Sequence, residues 1–128
     1  MTKLVTILLM LARLLGVVLI LLGAAIWLGF GRGITPWHAA LGSLFVLDAW
    51  IVAVVALFVL TSRTLPLLVL ALGGIVIWFG VAQTTLLVGN AHWAVRVLHL
   101  LLGIALLGLV ESLGKAVRLH RAATEAAG

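Results

Sequence analysis

The chain has 128 residues, of which 66% are hydrophobic and only 9% are charged. Soluble domains carry about 25% charged residues, so this composition excludes an ordinary soluble fold and indicates a protein of the lipid bilayer. The chain has no cysteine, which excludes disulfide bonds, thiolate catalysis and iron–sulfur clusters. Its net charge of +5 does not indicate nucleic-acid binding, because the basic residues lie mainly at the ends of the apolar segments.

Four segments are long and apolar enough to cross a bilayer, which takes about 20 residues. They cover about 4–30, 36–61, 66–87 and 91–118 and are joined by short links. Thr35 and Pro36 are typical of a helix N-cap followed by proline at the first helical position, and Pro66 opens the third helix in the same way. The apolar runs do not alternate with a period of two, which argues against strands. The sequence therefore predicts a single all-α domain over 1–128, a four-helix up-and-down transmembrane bundle.

The two halves of the chain share a pattern. The first helix contains GAAIWLG at 23–29, and the third contains GIVIWFG at 74–80. Each is followed by a helix that carries His-x-x-Leu-Gly. The pattern predicts a tandem duplication of one helical hairpin, with the two hairpins related by a pseudo-two-fold axis along the membrane normal.

The distribution of charge predicts the orientation. The basic residues that fall on one side of such a bundle are Lys3, Arg63, Lys115, Arg118 and Arg121. Arg32 falls in a loop on the other side, where Trp37 and Trp93 also lie as interfacial aromatic residues. The positive-inside rule therefore predicts a multi-pass protein of the cell membrane with both termini in the cytoplasm.

Two histidines lie in matched frames, His38 on the second helix and His99 on the fourth. A histidine inside a membrane span indicates a functional site, and imidazole is a good ligand for iron. Because no cysteine is present, the sequence predicts one non-covalently held b-type haem with His38 and His99 as axial ligands. Gly42 and Gly103 each lie one turn beyond a histidine on the same helix face, where a missing side chain lets a flat macrocycle lie against the backbone.

The propionates of such a haem need positively charged partners. Arg96 and His92 lie one and two turns outward from His99 on about the same face, and Arg32 lies in the adjacent outer loop. We expect these three residues to bind the propionates. The alternatives are that Arg96 extends to the lipid headgroups and that His92 is an interfacial residue. His120 has no matching histidine, so no second haem is expected.

Three further charged residues, Arg13, Asp48 and Glu111, fall inside the predicted spans. Such groups usually pair within a bundle, and their depth favours a pair of Arg13 with Glu111. Asp48 either joins that pair or is protonated. One interpretation is a polar clasp that holds the helices together. The other is a proton path or quinone pocket in the inner half, with Trp50 either lining it or packing in the core.

With four spans, His38, His99 and their glycines, the chain resembles the small four-helix transmembrane b-type cytochromes such as the cytochrome b561-like proteins. That family has two histidine pairs and two haems, whereas this sequence offers one pair. The resemblance implies that the protein transfers electrons or is a haem subunit of a redox complex. The expected partner is a quinone or a redox protein. The expected assembly is a homo-oligomer or a larger complex. The alternatives are a non-redox accessory or assembly subunit, and a small transporter coupled to protons through Asp48 or Glu111. No catalytic residue is predicted.

Overall fold

A computed structural model describes residues 2–31 and 33–128, and its regular structure is entirely helical over these ranges. The four long helices are α1 (Thr2–Ala25), α2 (Thr35–Val59), α3 (Thr64–Ala82) and α4 (His92–Ala127). All four are long and apolar enough to cross a membrane. The predictions of an all-α fold and of a multi-pass membrane protein are confirmed at this level.

The first link differs from the prediction. α1 continues into one wider π-helical turn over Ile26–Phe30, inside which Gly29 has a φ of 99°, a conformation that favours glycine. The predicted N-cap at Thr35 is wrong, since Ile34 is the N-cap residue and Thr35 is the first residue of α2. The Thr35 hydroxyl instead donates a hydrogen bond of 2.9 Å to the carbonyl oxygen of Gly31.

The third and fourth helices also have different bounds from those expected. α3 begins at Thr64, so Pro66 lies within its first turn, where the backbone N–H has no helical partner to lose. α3 ends at Ala82 rather than near 87, and the Thr85 hydroxyl donates a hydrogen bond of 2.8 Å to the Ala82 carbonyl oxygen. α4 runs on to Ala127, because its alanine-rich end favours a helix.

The core of the bundle is built from all four helices. The most deeply buried side chains are Val5, Leu9 and Ala12 on α1, Val46, Ala49, Val52, Ala53 and Ala56 on α2, Val69 on α3, and Leu106, Val110, Leu113 and Val117 on α4. Large apolar side chains also cover the outside, among them Ile7, Phe58 and Val81. An outer surface of this kind suits lipid rather than water.

Two glycines allow helices to approach closely. Gly114 on α4 lies against the side chain of Leu9 on α1, and Gly73 on α3 lies against the indole ring of Trp50 on α2. The Trp50 Nε1–H donates a hydrogen bond of 3.1 Å to the carbonyl oxygen of Leu70 on α3. Trp50 therefore packs between α2 and α3 and joins them.

Candidate functional site: a histidine pair within the bundle

His38 and His99 meet inside the bundle, on opposite helices α2 and α4. Their ring centroids are 6.2 Å apart, and the ring planes are inclined by 55°. Both side chains lie on the helix faces that also carry core residues, Phe45 on α2 and Val95 and Leu106 on α4. The two residues singled out from the sequence as a pair are therefore neighbours in space.

The other two helices close on the pair through glycines. A Cβ atom built on Gly23 of α1 would lie 3.5 Å from Cε1 of His38, and one built on Gly80 of α3 would lie 3.3 Å from Cε1 of His99. The ring of Phe79 stacks on His99, with centroids 6.1 Å apart and planes 12° from parallel. These five residues, one or two from each helix, are called the histidine site below.

One ring nitrogen of each histidine is buried without a hydrogen bond from the described residues. Nδ1 of His38 and Nδ1 of His99 are buried, and neither has a hydrogen-bond partner within the described part of the chain. Buried ring nitrogens are normally hydrogen-bonded, and an unpartnered one calls for an explanation such as a bound ligand, ion or water. The pair therefore has free donor or acceptor capacity inside an apolar bundle.

The spacing of the rings suits two axial ligands of one metal. A metal–imidazole bond is about 2.0 Å and the ring centre lies roughly 1 Å beyond the nitrogen, so two imidazoles on opposite sides of a metal have centres about 6 Å apart. The observed 6.2 Å agrees with that value. No group of three or more His, Asp or Glu side chains suited to a metal ion occurs in the described ranges.

The glycines predicted to make room for a macrocycle do not touch the histidine rings. A Cβ atom on Gly42 would meet Leu19 at 3.9 Å, and one on Gly103 would meet nothing within 4 Å. The space beside Gly103 is open, whereas Gly42 faces Leu19 at contact distance. The contact of either glycine with a cofactor stays a prediction. The glycines that do contact the rings, Gly23 and Gly80, were missed, because they occupy opposite ends of the two repeated segments and the repeat gave no reason to select them.

The expected propionate partners are placed unevenly. Nδ1 of His92 lies 3.1 Å from the carbonyl oxygen of Leu86, so His92 contacts the link between α3 and α4. Arg96 is exposed on α4, about one turn from His99. Arg32 lies outside the described residues.

The predicted pair of Arg13 and Glu111 is present. Nε and Nη2 of Arg13 donate hydrogen bonds of 2.6 and 2.8 Å to the two carboxylate oxygens of Glu111, which is the strong bidentate geometry. The expectation that the pair lies inside the bundle is wrong, since the side chains are 57% and 30% exposed. The pair joins α1 to α4 on the outer surface.

Asp48 does not join that pair. The residue is only 2% exposed, and neither of its carboxylate oxygens has a hydrogen-bond partner in the described ranges. Asp48 lies near the middle of α2. It is a buried acid that the histidine site does not use.

Comparisons with known proteins add no homologue, since no family model, no curated protein and no solved structure matches the chain. The resemblance to b-type cytochromes therefore depends on the four spans, His38, His99 and their glycines alone.

Proposed function

We propose that the protein is an integral membrane b-type haem protein, in which His38 and His99 are the axial ligands of one haem. The observation that carries the proposal is the approach of the two rings to 6.2 Å between centroids. The unpartnered Nδ1 atoms of both residues support it, because a buried ring nitrogen without a hydrogen bond has a lone pair or N–H free for a ligand.

The bound haem would supply one-electron redox chemistry, with its potential set by the axial ligands and their surroundings. His38 and His99 would hold the haem, and a haem held by two histidines would supply electron transfer. Phe79, stacked on His99, fixes the orientation of that ring. Gly23 and Gly80 let α1 and α3 approach the two rings.

Further residues and partners belong to the proposed haem protein. Arg96, His92 and Arg32 are proposed to bind the propionates, and a quinone or a redox protein is proposed as the electron partner. The protein is proposed to work in the cell membrane as a homo-oligomer or as a subunit of a redox complex.

We also propose the up-and-down arrangement with both termini in the cytoplasm. Contacts between α1 and α2 support antiparallel packing, since Gly23 lies against His38 whereas Leu19 lies against Gly42. Contacts between α1 and α4 run the same way, with Gly16 against Leu107 and Leu9 against Gly114.

The duplication is supported by one shared relationship. In each hairpin the first helix supplies a glycine that lies against the histidine of the second, Gly23 against His38 and Gly80 against His99. Gly23 is the first residue of its repeated segment and Gly80 is the last of the other, so the two glycines are not at equivalent positions. We therefore propose that, after the duplication, the two hairpins diverged in which glycine contacts the histidine.

The absorbance spectrum of detergent-purified protein, expressed with ample haem, tests the proposed function. We expect a sharp Soret band and a reduced α band, as two imidazole ligands produce. His38→Ala and His99→Ala should each abolish the low-spin spectrum. His120→Ala is the matched control, because His120 is exposed near the end of α4, and His92→Ala tests the alternative ligand.

Each of two results would overturn the proposal. One is wild-type protein with no Soret band. The other is a low-spin spectrum that survives the loss of either proposed ligand. In both cases the interpretation as an accessory subunit becomes the leading one.

A further inference from the structure

Asp48 is an acidic residue whose side chain is buried inside the helix bundle. It is buried to 2% exposure, both of its oxygens lack a hydrogen-bond partner within the described ranges, and it lies near the middle of α2. Its neighbours along the same helix, Ala49 and Val52, are fully buried and apolar. Ten residues separate it from His38, which is about 15 Å along the helix, so it is not part of the histidine site.

The cross-helix contacts place Asp48 on the level of the Arg13–Glu111 pair. Leu19 of α1 lies against Gly42 of α2. Because the contacts between the two helices run antiparallel, moving six residues inward from this contact reaches Arg13 on α1 and Asp48 on α2. The two residues therefore lie at the same depth to within about one helical turn, since side chains lean along their helices. One cation and two acids therefore share a level of the bundle.

The cation on that level is already engaged. Arg13 binds both oxygens of Glu111 at 2.6 and 2.8 Å. α3, over Thr64–Ala82, contains no titratable residue, and the histidines His38 and His99 lie further outward. No counter-charge in the described chain contacts Asp48.

An ionised carboxylate without a partner is very unfavourable in an apolar interior, and such a group neutralises itself by binding a proton. The carboxyl group also makes no hydrogen bond within the described ranges that would stabilise the fold. An ionisable group that is kept inside a membrane bundle without a structural partner marks a functional site.

We propose that Asp48 is a proton-binding site in the interior of the bundle, kept protonated because its carboxyl group is buried among apolar side chains and no counter-charge in the described chain contacts it. Release of the proton to water at a membrane face would leave an unpaired carboxylate in the interior, so the site would exchange its proton slowly. The site would give the protein a proton-linked step. The proposal does not depend on haem.

Infrared spectroscopy of protein labelled with ¹³C-aspartate tests the proposal, because Asp48 is the chain's single aspartate. The carbonyl stretch of a protonated carboxyl is separate from the carboxylate bands and shifts with the isotope. We expect this isotope-sensitive band at neutral pH in the wild type, its loss in Asp48→Asn, and its slow shift on transfer to D₂O as the proton exchanges.

Glu111→Gln is a control for the Arg13–Glu111 pair. The two side chains are 57% and 30% exposed and share only a level with the buried Asp48, so the protonated band should stay unchanged in this variant. Glu125→Gln is the matched control, because Glu125 is an exposed acid near the end of α4 and its removal should change nothing.

Three results would overturn the proposal. They are a wild-type protein without the protonated aspartate band, a band that does not exchange in D₂O even after incubation at high pH, and a band that persists in Asp48→Asn. None of these measurements uses bound haem, so their failure is separate from failure of the proposed function.

Discussion

His38 and His99 face each other between α2 and α4, and each is backed by a glycine of a neighbouring helix. Gly23 lies against the first ring and Gly80 against the second. The pair is therefore contacted by all four helices. Substitutions on α1 or α3 can therefore change the surroundings of the two rings while both histidines stay in place.

Filling the open space beside the histidines should displace a cofactor without disturbing the protein. A side chain at Gly103 would meet nothing within 4 Å of its Cβ atom, so Gly103→Leu should leave the thermal stability of haem-free protein about the same. If the macrocycle lies there, the variant should lose most of its Soret absorbance. Gly74→Leu is the control, because Gly74 also has open space around it and is not adjacent to a histidine in the sequence.

The number and type of helices, the histidine pair and the Arg13–Glu111 pair were predictable from the sequence. The long apolar runs leave few alternatives to membrane helices, and the rarity of charged and histidine residues makes their pairing easy to propose. The repeated frame of the two histidines and the depth of Arg13 and Glu111 within their helices led to these two pairings.

The contacts between helices were not predictable in the same way. Gly23 and Gly80 contact the rings because of how α1 and α3 are rotated and how far they slide past their neighbours, and nothing in a helix's own sequence fixes either quantity. The same applies to Arg13 and Glu111, whose depth was predicted but whose exposed position was not. At the end of α3, the hydroxyl groups of Thr84 and Thr85 donate hydrogen bonds to the last carbonyl oxygens of the helix. These side-chain hydrogen bonds compete with continuation of the helix, and hydrophobicity does not reveal that competition.

The Arg13–Glu111 pair should behave as a coupled unit. Removing one partner leaves a single charge at the surface of the bundle, whereas removing both leaves none. Arg13→Ala and Glu111→Ala should each lower the melting temperature in detergent or lipid, and the double variant should lose less than the sum of the two. Strictly additive losses would show that the two side chains do not interact.

Thiol labelling can test the orientation against a clean background, because the natural chain has no cysteine. A cysteine at Gly128 should resist an impermeant reagent added outside intact cells, and one at Asn90, exposed in the link between α3 and α4, should react. Asn90 is preferred to Gly33, whose φ of 86° favours glycine. Labelling of Gly128→Cys from outside would reverse the orientation and the face to which the histidine site is nearest.

The adjacent glycines of α3 provide a test of how α2 and α3 pack. A Cβ atom on Gly73 would clash with the indole nitrogen of Trp50 and would reach 3.0 Å from Val46, whereas one on Gly74 would meet nothing within 4 Å. Gly73→Ala should therefore push the indole ring away from the Leu70 carbonyl oxygen, to which it donates its hydrogen bond, and should destabilise the protein by about 1–3 kcal/mol through overpacking. Gly74→Ala should instead stabilise it by roughly 0.5–1 kcal/mol, because alanine favours a helix interior more than glycine does. Unfolding in mixed micelles, followed by tryptophan fluorescence, measures both changes, and equal effects at the two positions would contradict the close contact between Gly73 and Trp50.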